Sequence, residues 1–331
     1  MKKNRIAIGN PDLDGVSSYI LASVFEIEFD DILIVDYDFF QSPTHMDYAM
    51  EFKEIFFIDF APTKEMFDEM INRGVYFWVF DHHESDQAVF LKDVPEDNSK
   101  YKIFIDYTEV GTSLFFKKYL LPMLKRVKPV VFRFVHLVRT YDAWDVESSD
   151  WEEALSLNRV CYGQHDWNQT GIVAYQQFID KQVRKIQELS EWTWTKVEKE
   201  IIESAKKREL EILKESREKL QIRDDHHGKL FGIFDCGSKI SLTAHALLKE
   251  YPEFDFIIVV NTYHGINGKL SFRSKSFNCN TLALANGHDA AAGGQVSLED
   301  AIKLLEGEYW CVAYKGEEEN FPKKMLKKSD L

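Results

Sequence analysis

The triplet Asp-His-His occurs at 81–83 and again at 225–227. Imidazoles beside a carboxylate can hold a divalent ion, relay a proton or cap a turn, so the triplet alone does not select a chemistry. Its neighbours do. Asp12 and Asp14 stand two residues apart in Asn10-Pro11-Asp12-Leu13-Asp14-Gly15, and Asp59 closes the run IFFIDF. The stretch Arg139-Thr140-Tyr141-Asp142-Ala143-Trp144-Asp145 adds a further acid after an apolar helical pattern. Carboxylates crowded together need a positive charge among them, and carboxylates with one or two imidazoles suit Mn²⁺. Two such ions ~3.5–4 Å apart clamp a phosphorus centre from both sides. The second triplet follows a charged helical stretch and precedes Gly228, a place where polar residues cap and solvate a chain reversal. Asp225-His226-His227 is therefore expected to be incidental to that chemistry.

The elements that must position these groups are legible around them. RIAIG (5–9), ILIVDY (32–37), IFFIDF (55–60), YFWVFD (76–81) and KIFIDY (102–107) read as strands, with helical patterns at 16–27 and 63–74 between them. The runs are continuously apolar rather than alternating, as in strands covered on both faces. The expected fold class is α/β, with a doubly wound, mostly parallel sheet and helices on both faces. In such a sheet the ligand site lies beyond the carboxyl ends of the strands. Asp36, Asp59, Asp81 and Asp106 end these runs, so acids collect on one edge.

Residues 1–165 form the expected catalytic domain. Residues 166–227, dense in Glu and Lys, read as a helical connector, and 228–331 as a smaller α/β domain. The polar tail from Gly316 is expected to lack fixed packing. Asp36 and Asp38 are read as turn residues, and Trp192 and Trp194 as packing residues. Gly111-Thr112-Ser113 opens a helix whose N–H groups either face an anion or ligand carboxylate or are simply capped. Cys161 and His165 lack a second pair and do not suggest zinc.

Composition narrows the partners. The 331 residues carry a net charge of −14, which excludes a broad basic surface gripping long duplexes through their phosphates. A short nucleic acid or a nucleotide is the expected substrate. No run approaches the ~18 apolar residues of a membrane span. Four widely spaced cysteines without a CxxC pair, and no signal-peptide pattern, point to reduced thiols and a cytoplasmic location.

The motif order NPDLDG, FIDF, FDHH, TYDAWD resembles the DHH phosphoesterase superfamily. Leu270-Ser271-Phe272-Arg273-Ser274 and Asn286-Gly287-His288-Asp289-Ala290-Ala291-Ala292-Gly293-Gly294 resemble the substrate-binding motif of the DHH-associated C-terminal domain. The resemblance implies two divalent ions, Mn²⁺ with Mg²⁺ as the alternative. They would be held by Asp12, Asp14, Asp59, His82 and Asp142, with Asp59 bridging. Asp142 is preferred to Asp145. Asp81 and His83 become the catalytic candidates, His83 lying close to the substrate phosphate. Ser271, Arg273, Gly287 and His288 become the substrate-binding ones.

The resemblance is greatest to nano-RNase-type enzymes, which implies hydrolysis of short oligonucleotides or linear dinucleotides to mononucleotides. Nucleoside 3′,5′-bisphosphate phosphatase and cyclic-dinucleotide phosphodiesterase are the alternatives. A non-catalytic nucleotide-binding protein with a degenerate metal site is a second one, and a homodimer is compatible with all of them. The sequence departs from the family at Ile8, where many members carry a metal-binding His, and at Asn286, where Gly is usual.

Overall fold

The computed structural model describes residues 3–36, 39–40, 42–83, 90–262, 267–288, 290–317 and 324–330. The chain forms two compact units, Met1–Glu203 and Ser204–Leu331. The first begins β1 (Lys3–Gly9), α1 (Leu13–Val24), β2 (Asp31–Ile34), α2 (Pro43–Ala49), β3 (Phe52–Ile58), α3 (Lys64–Arg73), β4 (Tyr76–Asp81) and β5 (Tyr101–Ile105). Four α-helices follow among the described residues: α4 (Gly111–Phe115), α5 (Pro129–Asp142), α6 (Trp151–Gly163) and α7 (Gly171–Glu188). Helix α8 (Lys196–Lys219) starts in the first unit and ends in the second.

All strand pairs of the first sheet are parallel, in the order β2-β1-β3-β4-β5. Successive side chains of a strand point to opposite faces. Ile6, Ile8, Ile55, Phe57, Phe77 and Val79 pack with α2 and α3, while Ala7, Phe56, Ile58 and Phe80 pack with α1 and α4 to α7. Most residues of β1, β3 and β4 that face either core are therefore buried, and full burial of a Phe or Ile is worth about 1.5–3 kcal/mol. That is why the apolar stretches Ile6–Ile8, Ile55–Ile58 and Phe77–Phe80 carry no polar residue.

Part of the stretch read as a connector belongs to this core. Helix α7 repeats apolar residues at helical spacing, and Ala174, Tyr175, Phe178, Ile179 and Ile186 are buried in the first unit. The link to α8 is fixed by a reciprocal cap. Thr195 N donates to Glu198 Oε2 at 2.8 Å, and Glu198 N donates to Thr195 Oγ1 at 3.2 Å. Glu198 also accepts from Gln182 and forms a buried ion pair with Lys185. The Lys185 ammonium lies 4.6 Å from the Trp192 ring centre and 4.9 Å from that of Trp194, so both tryptophans pack over the pair.

The second unit holds β6 (Gln221–Asp224), β7 (Leu230–Asp235), α9 (Ile240–Glu250), β8 (Phe256–Asn261), β9 (Asn267–Arg273), β10 (Asn286–His288) and β11 (Ala291–Ser297). It ends with α10 (Leu298–Glu306), β12 (Cys311–Val312) and β13 (Met325–Leu326). Its main sheet is mixed, in the order β10-β11-β9-β8-β7-β6, with only β7 and β8 parallel. Helix α10 covers one face, and α9 with Ile212 and Leu213 covers the other.

One expectation is corrected here. The tail is not unpacked throughout: Met325 and Leu326 are buried and pair with Val312 and Cys311, because two apolar residues are embedded among its lysines. The second triplet lies in the chain reversal expected of it. Helix α8 stops at Lys219, β6 intervenes, and 225–228 form the β6–β7 turn, with Gly228 at φ 74°.

The Lys185–Glu198 pair gives the first prediction. Glu198→Ala leaves a buried ammonium uncompensated and should lower stability by ~3–5 kcal/mol in urea unfolding. A loss under about 1 kcal/mol would mean that the pair behaves as a solvated one.

Candidate metal centre

The strand order reverses direction between β1 and β3, and such a reversal opens a crevice at the strands' carboxyl ends. Asp12 and Asp14 follow β1, Asp59 follows β3, Asp81 closes β4 ahead of His82 and His83, and Asp142 ends α5. Elements far apart in sequence thus deliver their acids and imidazoles to one point.

The turn after β1 is very tight. A Cβ at Gly15 would lie 2.2 Å from the Asn10 carbonyl oxygen, so glycine is required. Asp12 caps α1 by accepting from Gly15 N at 2.9 Å. Asp14 is fully buried, and its carboxylate accepts from Gly111 N at 2.6 Å and Thr112 N at 3.0 Å. Thr112 Oγ1 donates to the Asp14 carbonyl at 2.6 Å. The α4 amino end therefore faces a carboxylate of the site, one of the two roles open to Gly111-Thr112-Ser113 from sequence.

Asp59 holds a left-handed backbone, φ 57°, and its N–H donates to Phe80 O at 2.8 Å. A non-glycine residue held in that region is strained and persists where its surroundings dictate it. A Cβ at Gly111 would fall 2.5 Å from the Asp59 Cβ, so α4 presses directly on this residue.

The imidazoles sit among the acids. His82 Nε2 lies 3.1 Å from Asp142 Oδ2, 3.2 Å from Asp59 Oδ1 and 3.9 Å from Asp14 Oδ2. His83 Nδ1 lies 2.7 Å from Asp81 Oδ1 and 3.7 Å from Asp59 Oδ1. Asn10, buried, donates to Asp59 Oδ2 at 3.4 Å. Sequence reading passed over Asn10 as a site residue, although a polar side chain at a strand end before two acids was the available signal.

Burial first, and repulsion from neighbouring carboxylates second, push the three turn acids up: Asp12 above its usual range, Asp14 to about 7 and Asp59 well above the carboxylate range. Burial alone would lower His82, but hydrogen bonds to Asp142 and Asp59 outweigh it and push the imidazole up to about 12. Burial also opposes charge on His83, and the Asp81 bond outweighs it in the same direction. The protein's own groups thus hold protons among these acids, and a divalent ion would take their place. Oxygen and imidazole donors within 3.1–3.9 Å of one another fit such an ion.

The other candidates are less gathered. Asp145 is exposed, and its N–H donates to Thr140 O at 3.0 Å. Asp36 is exposed, whereas Asp38 lies outside the described residues. Asp106 Oδ1 accepts from Thr108 N and Oγ1, as a turn residue does. Ile8 is fully buried among apolar side chains.

In the second unit, Ser271 and Arg273 share the face of β9 opposite the buried Leu270 and Phe272. The Arg273 guanidinium donates to Phe272 O at 2.8 Å, Ala292 O at 3.2 Å and Ser241 Oγ at 2.9 Å. Register places Gly287 opposite Ala292, and both His288 and Arg273 opposite Ala291, on the two strands that flank β11. The side chains of 286–288, and Asp289 altogether, lie outside the described residues.

Neither a family model nor a curated protein matches the sequence. Among solved structures, the chain is similar to a DHH-domain member of the s1p family of ribosomal proteins, with a TM-score of 0.54 at 13% identity, over 92% of this chain and 86% of that one. It is also similar to the pGpG-specific phosphodiesterase PggH of Vibrio cholerae, with a TM-score of 0.44 at 14% identity, over 92% and 97% of the two chains. RecJ of Thermus thermophilus, solved with Mg²⁺, gives a TM-score of 0.44 at 12% identity, and this chain spans 98% of itself but 51% of RecJ. The first likeness shows the fold, which is that of a DHH-domain protein.

Two outcomes are expected of the centre. Below pH 7 Asp14 holds a proton that an ion must displace, and above it the carboxylate is ready. Mn²⁺ affinity should therefore rise from about pH 6 to about pH 8, with protons released on binding. Calorimetry in two buffers of different ionisation enthalpy measures this, and a flat affinity without proton release would contradict it. Gly111→Ala, which adds no charge, should weaken Mn²⁺ binding at least about tenfold by displacing Asp59.

Proposed function

Taking the DHH-domain fold as the premise, we propose that this chain is a divalent-metal-dependent phosphoesterase that hydrolyses short oligonucleotides or linear dinucleotides to mononucleotides. The observation that carries this is the convergence of Asp14, Asp59, Asp142 and His82 at the sheet's reversal point. Bound Mn²⁺ or Mg²⁺ would acidify a water and offset charge on phosphate oxygens.

The chain's own groups divide the remaining work. Asp12, Asp14, Asp59, His82 and Asp142 would hold the ions, with Asp59 shared because it lies between His82 and Asn10. Asp81 fixes the His83 imidazole and favours its charged form, so His83 would donate toward a phosphate oxygen and stabilise the charge that develops there. In the second unit Arg273 is already anchored by three acceptors, and we assign its remaining N–H groups to a terminal phosphate. The β10–β11 hairpin, with Gly287 and His288, would complete that contact, and Ser271 flanks it on β9. The net charge of −14 favours a short substrate over a long one.

Nucleoside bisphosphates and cyclic dinucleotides would use the same groups. Ile8 supports a different reading, a nucleotide-binding protein without turnover, since an apolar residue stands where many family members carry a ligand. Purified protein incubated with Mn²⁺ or Mg²⁺ and a panel of DNA and RNA ~2–20 nucleotides long, cyclic dinucleotides and nucleoside bisphosphates separates these readings. Binding without turnover under either ion would select the last.

Asp59→Ala should reduce kcat by about a thousandfold or more, ~4 kcal/mol in the barrier. Full activity of chelated, metal-free protein would overturn the proposal. Arg273→Ala should lower kcat/KM about a hundredfold for a short nucleotide bearing a terminal phosphate, and far less for bis-p-nitrophenyl phosphate, which offers nothing to grip. Equal losses on both substrates would place Arg273 in the fold or the chemistry instead.

A further inference from the structure

The second triplet has a built environment of its own. Asp225 is 4% exposed and closes the β6–β7 turn from within. Its Oδ1 accepts from His227 N at 2.9 Å and Lys229 N at 2.8 Å, and its Oδ2 accepts from Tyr314 OH at 2.7 Å. With the turn held in this way, two consecutive imidazoles leave the chain on the same side. Their ring centres are 4.1 Å apart and their planes differ by 47°.

Both rings meet one carboxylate from a distant part of the sequence. His226 Nε2 lies 2.9 Å from Glu317 Oε2, and His227 Nε2 lies 3.0 Å from Glu317 Oε1. The carboxylate is itself fixed, because Oε2 accepts from Tyr314 N at 2.9 Å. The Tyr314 ring packs edge-on against His227, with centres 4.5 Å apart. On the other side of the His226 ring, Nδ1 faces the buried Cys311 Sγ at 4.0 Å. Each donor is therefore oriented by a group that is not a donor, which is how protein metal sites hold their ligands ready.

The donor atoms all lie within 4.8 Å of one another. As neutral rings both imidazoles can donate from Nε2 to the one carboxylate, which places two protons between three donor atoms. One divalent ion in their place satisfies both nitrogens and the carboxylate together. The side-chain exposures are 17% for His226, 48% for His227 and 26% for Glu317, so the group opens to solvent and water can supply a fourth ligand. Two imidazole nitrogens with one carboxylate oxygen form a borderline donor set, suited to Zn²⁺, whereas the first unit gathers mainly hard carboxylate oxygens.

We propose that His226, His227 and Glu317 bind one Zn²⁺ in the second unit, a site chemically separate from the carboxylate-rich centre of the first. The ion would fasten the β6–β7 turn to the segment that follows β12. Neither residue set depends on the other, so this site stands whether or not the phosphoesterase reading does.

The test uses the full chain stripped of metal, as wild type, His227→Ala and Glu317→Gln. His227 is half exposed and Glu317→Gln preserves shape, so both variants should fold, which near-ultraviolet circular dichroism verifies. Zn²⁺ is titrated in competition with a chromophoric chelator, and hydrogen exchange is followed with and without Zn²⁺. Each variant should lose one Zn²⁺ equivalent, or bind it at least about tenfold more weakly. Added Zn²⁺ should slow exchange at 225–229 and 311–317 in the wild type and in neither variant. Unchanged Zn²⁺ stoichiometry and affinity in both variants would overturn the proposal. So would Zn²⁺ binding that leaves exchange in these two segments unaltered.

Discussion

Repulsion among buried carboxylates at the ends of β1 and β3 is the constraint around which the first unit is organised. Asp14 and Asp59 are almost wholly withdrawn from water, and Asp12 and Asp142 stand close enough to raise their proton affinity further. Charges in such a place are costly unless each is met by a donor or a cation. The surroundings supply donors one by one: backbone N–H groups of α4 for Asp14, the Asn10 amide for Asp59, and His82 for several acids at once. What these donors leave uncompensated is the demand for further positive charge.

A site of this kind needs a stiff support, because relaxation would let the acids move apart. The sheet provides it by being buried on both faces, so that its strands are gripped by two apolar cores. Glycines at 15 and 111 then allow backbone to approach closer than any side chain would permit. The strain at Asp59 persists because the β4 pairing and α4 hold it from two directions.

The architecture was legible where a single physical rule dominated. Unbroken apolar runs announced a sheet covered on both sides, and acids at the ends of the runs announced one crowded edge. What escaped reading depended on contacts between residues distant in sequence. The core face of α7 is diluted by lysines and glutamates that solvate its outer side, so its stretch resembled a solvated linker. The left-handed backbone of Asp59 leaves no mark in residue type. Whether the Gly111-Thr112-Ser113 turn meets a ligand carboxylate depends on Asp14, which lies across the fold. The second triplet looked like chain reversal alone because its carboxylate, Glu317, stands far down the chain.

The wide sequence spread of the first centre's groups bears on how the protein is assembled. Asp12, Asp59, His82 and Asp142 become neighbours only after β1, β3 and β4 have paired and α5 has packed against them. Parallel pairings close long loops and form late relative to local structure. An ion therefore has no preformed cage in the unfolded chain and cannot act as a folding nucleus. Any ion held there would be loaded onto a polypeptide whose apolar cores have already closed. Chelation should accordingly empty the centre while leaving the chain folded, in contrast to small domains that owe their whole structure to a metal.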